Sequence, residues 1–152
     1  MGWYDVPPPI VPDLIVQHGR NQASKPALLC GERRWTWAEF DAATNQVANG
    51  LLQLGLAPGA RIAVLMQNSA EMALLLFGAG KAGVCVVPLN TAVSDAAVAA
   101  MVRDSGASAI AASGEHCLRV DALLAAGQLA GMKARLGVDV PATGHWTDFS
   151  PW

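Results

Sequence analysis

The sequence predicts an α/β fold: a mostly parallel sheet flanked by helices, with a small hairpin near the amino terminus. Two patterns lead there. Short, near-continuous apolar runs at Arg61–Met66, Val84–Val87, Ala107–Ala111 and Arg135–Val138 alternate with segments of helical spacing. Strands covered by helices on both faces read this way, because neither side of the strand meets water. The helical segments between them carry start and stop residues, so the alternation is a chain of strand–helix units with right-handed crossovers. A chain of 152 residues is long enough for one such domain, which at this size buries roughly 68–70% of its unfolded surface.

In chain order, Met1–Val11 is proline-rich and reads as an extended arm, and Asp13–Gln22 as a helix begun by Pro12 and Asp13. Ala27–Cys30 and Arg33–Thr36 flank Gly31-Glu32, a Gly-X pair suited to a type II′ hairpin. Thr36-Trp37-Ala38-Glu39 fits the S/T-x-x-E capping box. Phe40, Ala43, Val47, Leu51 and Leu54 then share one helical face, and Gly55 ends the helix over 37–54. Ser69 caps a helix running to about Lys81, and Pro88 ends the strand Val84–Val87, read as buried. Ser94 caps a helix over Asp95–Arg103 with Gly106 beyond it, and His116–Ala126 is the last helix. Three regions result: arm and helix at 1–26, an α/β subdomain at 27–140, and a polar tail at 141–152 that leads toward further domains.

Charge excludes some partners. The net charge is -2 and the only adjacent basic pair is Arg33-Arg34, which gives no footprint for nucleic acid or an anionic membrane. No apolar run reaches the ~20 residues of a membrane helix, and the start lacks the layout of a signal peptide. Charged residues are only 14% of the chain, against about 25% in a typical soluble domain. That shortage predicts an apolar face that packs against more protein, and in its absence self-association into a homo-oligomer. Cys30, Cys85 and Cys117 are odd in number without C-x-x-C spacing, which indicates a reducing, cytoplasmic setting and no zinc site. Cys85, inside an apolar run, reads as a buried structural thiol. His18, His116 and His145 are too scattered to form a metal cluster.

Gly78-Ala79-Gly80-Lys81-Ala82-Gly83 matches G-x-G-x-x-G in letters. The dinucleotide fingerprint needs those glycines to open a helix, whose N–H groups hold a pyrophosphate. Here they close one, and the carbonyl end of a helix repels phosphate. Lys81 is followed by Ala82, so the P-loop pattern fails as well. The glycines are read as sites of close helix-to-sheet packing, with a cap at Gly83.

Three stretches resemble the adenylate-forming superfamily of acyl- and aryl-CoA ligases, luciferases and peptide-synthetase adenylation domains. Trp35-Thr36-Trp37-Ala38-Glu39-Phe40 is similar to its first signature. Gly59-Ala60-Arg61-Ile62-Ala63-Val64-Leu65-Met66-Gln67-Asn68-Ser69 is similar to its G-D-R-V-A run, and Gly80–Asn90 to its L-K-A-G-A-x-x-V-P-[LI]-[ND] run. Order and spacing also agree, over roughly Ala27–Gly114. The resemblance implies the amino-terminal subdomain of a fatty acid–CoA ligase-like, AMP-forming acyl-CoA synthetase. Such an enzyme uses ATP, Mg²⁺ and CoA with a carboxylic acid. It also implies that the phosphate loop, ending in Pro-Lys-Gly, and both catalytic lysines come later in the chain than this one reaches. None of the Ser/Thr-Gly pairs here has that context. The chain alone is therefore expected to be inactive, to bind none of these ligands, and to have the enzyme's remaining domains as its partners.

Within this frame Thr36 and Glu39 are capping residues and not catalysts, and no residue here is a catalytic candidate. Asn90 and Thr91 lie in a turn past the carboxyl end of a strand, the usual ligand edge of a parallel sheet, and the resemblance assigns them to a CoA-facing turn. Many CoA-ligase relatives read N-P-R-L there; Asn90-Thr91-Ala92-Val93 lacks the arginine. Two other readings remain open: an adenylation domain that loads a carrier protein, and a non-catalytic α/β interaction module. One fold hosts many functions.

Overall fold

The structure is a computed structural model and describes residues 10–140 and 145–149. Of the extended arm, residues 1–9 lie outside that range, as do 141–144 and 150–152 of the tail.

The first helix, α1 (Val11–Asn21), starts two residues before the expected Asp13. Pro12 fits the first turn because no backbone donor is required of it there. Asp13 accepts the Ile10 N–H at 3.1 Å, satisfying a donor at the helix start. β1 (Pro26–Cys30) and β2 (Arg33–Thr36) form the antiparallel hairpin, with Cys30 paired to Arg33 across Gly31-Glu32. Gly31 has φ 59° while Glu32 does not turn positive, as a type II′ turn requires. α2 (Trp37–Gln53) begins on the full capping box. Thr36 Oγ1 accepts the Glu39 N–H at 3.3 Å, and Glu39 Oε2 accepts the Thr36 N–H at 2.8 Å. α2 ends with Gly55 at φ 79°, the Leu56 N–H bonding Leu51 O and the Gly55 N–H bonding Leu52 O. This is a Schellman cap, possible because glycine adopts the left-handed conformation without a Cβ clash.

Next come β3 (Arg61–Leu65), α3 (Ala70–Lys81), β4 (Cys85–Pro88), α4 (Asp95–Ser105), β5 (Ala109–Ser113), α5 (Glu115–Ala125), β6 (Ala134–Val138) and β7 (Thr147–Asp148). The last five strands make one sheet in the order β4-β3-β5-β6-β7, with every pairing parallel. Alternation along each strand divides the core in two. Ile62 and Val64 of β3 join Val47, Leu51 and Leu75 from α2 and α3 on one face. Ala63 and Leu65 join Val98, Val102 and Val120 from α4 and α5 on the other. Each fully buried Val or Leu contributes roughly 1.5–3 kcal/mol, so the helices are held by their apolar faces.

Three expectations are corrected. Val84–Val87 is not a buried strand: among the described residues β4 has a neighbour on one side only, and Cys85 is exposed, not a buried structural thiol. Gly78 serves helix-to-helix and not helix-to-sheet packing, because a Cβ there would lie 2.5 Å from Val47 Cβ and Cγ1 of α2. The sheet also gains β7, with Phe149 buried directly after it, in a stretch that the sequence presents only as a polar tail.

Candidate functional site

All five strands of the sheet point their carboxyl ends to the same edge. The chain runs from β3 through α3 to the outer strand β4, then crosses back past β3 to β5. The connections that leave β3 and β5 thus run in opposite directions along the sheet, with α3 on one face and α4 and α5 on the other. Ligands of doubly wound sheets bind at such a switch point, outside the carboxyl ends of the strands. Here it lies above Leu65 and Ser113, flanked by the turn that follows β4.

Asn90 and Thr91 do stand in that turn. Asn90 Oδ1 accepts the Ala92 N–H at 2.9 Å, an Asx turn that shapes the loop. Thr91 Oγ1 accepts from Gln67 Nε2 at 3.3 Å, which joins the loop after β4 to the loop after β3. Arg119 reaches the same turn from α5. Its Nε donates to Asp95 Oδ1 at 2.6 Å, its Nη1 to Thr91 O at 2.9 Å, and its Nη2 to Val93 O. Ser69 caps α3 through the Met72 N–H at 3.1 Å, and Ser94 caps α4 through the Ala97 N–H at 3.4 Å. Gly114 opens α5 with φ 52°, a backbone conformation that favours glycine, and its N–H bonds Val138 O at 2.9 Å. Beside it His116 is buried, with its Nε2 lacking a partner among the described residues.

Gln67 and Arg119 were not singled out in the sequence. Gln67 sits in a family-like stretch but carries no mark of its own. The partners of Arg119 are 24 to 28 residues away, beyond the reach of any local pattern.

The guanidinium that reaches this edge is already engaged within the protein. The Arg119 guanidinium is occupied, and Lys81 belongs elsewhere: its Nζ meets Asp41 Oδ1 at 2.5 Å and Asn45 Oδ1 at 2.8 Å, with the side chain only 8% exposed. Gly78 and Gly80 lie in the last turns of α3, and Gly83 at φ 70° closes its cap through Val84 N–H to Ala79 O. The G-x-G-x-x-G letters therefore make a helix end, as expected. Among the described residues no group of three or more His, Cys, Asp or Glu can hold a metal ion. Elsewhere, the Glu39 carboxyl lies below its usual range through hydrogen bonds from the Thr36 backbone and hydroxyl. Burial pushes the Cys117 thiol up to about 11, with the charges of Asp121 and Asp139 adding to it.

Comparison with known proteins adds the family. The long-chain-fatty-acid–CoA ligase FadD13 of Mycobacterium tuberculosis is 37% identical over 92 residues, which is 60% of this chain and 18% of the ligase. The fatty acid–[acyl-carrier-protein] ligase ScoC of Streptomyces coeruleorubidus is 35% identical over 89 residues, 59% of this chain and 17% of that protein. The chain thus spans less than a fifth of the length of these relatives. The inhibitor-bound N-terminal domain of FACL13 from M. tuberculosis superposes with a TM-score of 0.73 at 29% identity, over 84% of this chain and 33% of that one. The sequence profile of the AMP-binding enzymes matches residues 15–146, and the chain belongs to that family.

Proposed function

We propose that this chain is the amino-terminal part of a carboxylic acid–CoA ligase acting on a fatty acid, and that its own role is to build and brace the scaffold. In that enzyme a carboxylate attacks the α-phosphate of ATP to give acyl-AMP and pyrophosphate, and the CoA thiolate then displaces AMP. The observation that carries the reading is a contrast. Similarity to acid-activating ligases falls on a well-formed sheet whose carboxyl edge is cross-braced, yet the guanidinium that reaches that edge, Arg119, is taken up by Asp95, Thr91 and Val93. The chain by itself is therefore inactive, and the phosphate-binding groups come from the remaining domains.

In this reading Asn90 and Thr91 form a turn facing CoA, with Thr91 fixed by Gln67. The remaining domains cover the apolar groove between α1, the hairpin, α2 and α3, a cavity of about 270 Å³ lined by Leu14, Ile15, Leu28, Trp37, Phe40 and Phe77. Val11, 55% accessible, also lines it, and Leu29, 61% accessible, lies on the hairpin strand beside it; an uncovered groove of this kind favours self-association. The free thiols of Cys30, Cys85 and Cys117 support a reducing, cytoplasmic setting. No helix among the described residues is long and apolar enough to cross a membrane.

The similarity to ScoC supports a second reading, in which the acceptor is a carrier protein. The test is AMP release by the enzyme that contains this chain, with a fatty acid, ATP and magnesium, and either CoA or a phosphopantetheinylated carrier protein. Release that requires both the acid and CoA supports the first reading. Release that requires the carrier supports the second, and release that ignores the acid contradicts both.

A further inference from the structure

We propose that Arg119 is a positioning residue that sets the shape of the Asn90–Asp95 turn. The inference deepens the ligase reading, since it takes this turn as the one facing the acceptor. The carbonyls of Thr91 and Val93 lie in irregular backbone, outside any helix or sheet ladder, and such groups must find partners. Arg119 supplies them from the second turn of α5 and at the same time binds Asp95 in the first turn of α4. Its side chain is only 19% exposed, whereas that of Asp95 is 60% exposed.

The destinations of these bonds separate positioning from simple helix packing. Two of the three end on turn carbonyls and the third on the residue that closes the turn. Gln67 reaches the same turn from the loop after β3. Groups that follow three different strands therefore converge on one short loop. A guanidinium is suited to this, because its planar fork can meet two carbonyls and a carboxylate at once. An ammonium keeps the charge but not the fork.

Arg119→Lys is thus the informative variant, with Asp95→Asn as a second that removes one of the three bonds. In this chain, solvent-exchange NMR of the Ala92 and Ala97 amides should show exchange about tenfold faster or more in Arg119→Lys, the scale expected for lost hydrogen bonds to a charged group. Amides of α2 and β5 should not change. In the ligase, Arg119→Lys should raise the KM for CoA several-fold while acid-dependent ATP–pyrophosphate exchange stays at the wild-type rate. A purely structural role would lower both activities together. Unchanged amide exchange in Arg119→Lys would overturn the proposal, and so would equal losses in exchange and CoA use. Failure of the ligase reading looks different: the wild-type enzyme would show no acid-dependent exchange at all, and the amide measurement would still decide the role of Arg119.

Discussion

Replacing Gly78 and Gly80 by alanine should change stability in opposite directions, although both belong to the same G-x-G-x-x-G string. A Cβ on Gly78 would sit 2.5 Å from Val47 Cβ and Cγ1 and 2.9 Å from the Thr44 carbonyl oxygen. Carbon atoms prefer about 3.5–4.0 Å, and a backbone carbonyl cannot swing aside, so α2 and α3 must separate. Overpacking of this kind costs roughly 1–3 kcal/mol, and with two close contacts the upper end applies. Alanine offsets about 0.8–1.0 kcal/mol of that through helix propensity, leaving a net loss of about 2 kcal/mol. For a domain of this length each kcal/mol moves Tm by roughly 2–4 °C, so Gly78→Ala should melt about 4–8 °C lower. A Cβ on Gly80 meets only Pro12 Cγ at 3.7 Å, an ordinary contact. Gly80→Ala should therefore gain up to about 1 kcal/mol. Thermal unfolding followed by circular dichroism reads both. A Gly78→Ala variant as stable as wild type, or a Gly80→Ala variant destabilised as much as Gly78→Ala, would refute the packing account.

Thr36→Ala should cost ~1 kcal/mol of stability in the same assay, the usual cost of a lost N-cap, and NMR titration should show the Glu39 carboxyl moving back up. Alkylation followed by mass spectrometry should label exposed Cys85 long before buried Cys117, whose thiol stays protonated until pH approaches about 11. Because that folded value is raised from 9.0, its stabilising contribution is present below the unfolded value and lost as pH climbs from there toward about 11. Glu71 titrates at the other end of the scale. Burial works to raise its carboxyl, but the hydrogen bond and charge of Arg33, with the backbone and Ser69, outweigh it and leave it depressed. Its contribution is therefore present above the usual carboxylate range and lost as pH falls through the depressed value; Glu71→Gln should flatten that part of the acid unfolding curve.

What the sequence revealed and what it hid divide along physical lines. The α2 capping box, the caps at Ser69 and Ser94 and the glycine ends are local, so they were legible from a few adjacent residues. The Val84–Val87 run reads as buried because apolar content alone does not say how many neighbours a strand has. The position of β4 follows from a chain that goes out to the edge and then doubles back past β3, which is a long-range property. The partner of Gly78 is hidden for the same reason: small residues announce a close approach but not what approaches. The convergence of Gln67, Thr91, Asp95 and Arg119 joins side chains from separate strand–helix units and has no periodic signature. Even so, the family-like stretches marked the right elements. They fall on the joint between β2 and α2, on β3 with the loop after it, and on the end of α3 through β4.

The central claim is that this chain is scaffold and leaves phosphate chemistry to other domains. Carboxylate-dependent ATP–pyrophosphate exchange by the purified 152-residue chain, assayed with magnesium across fatty and aromatic acids, tests it most directly. The account predicts no exchange above a blank lacking the acid. Acid-dependent exchange that persists through repurification would contradict it, because a triphosphate would then have to bind beside an Arg119 already engaged with Thr91, Val93 and Asp95.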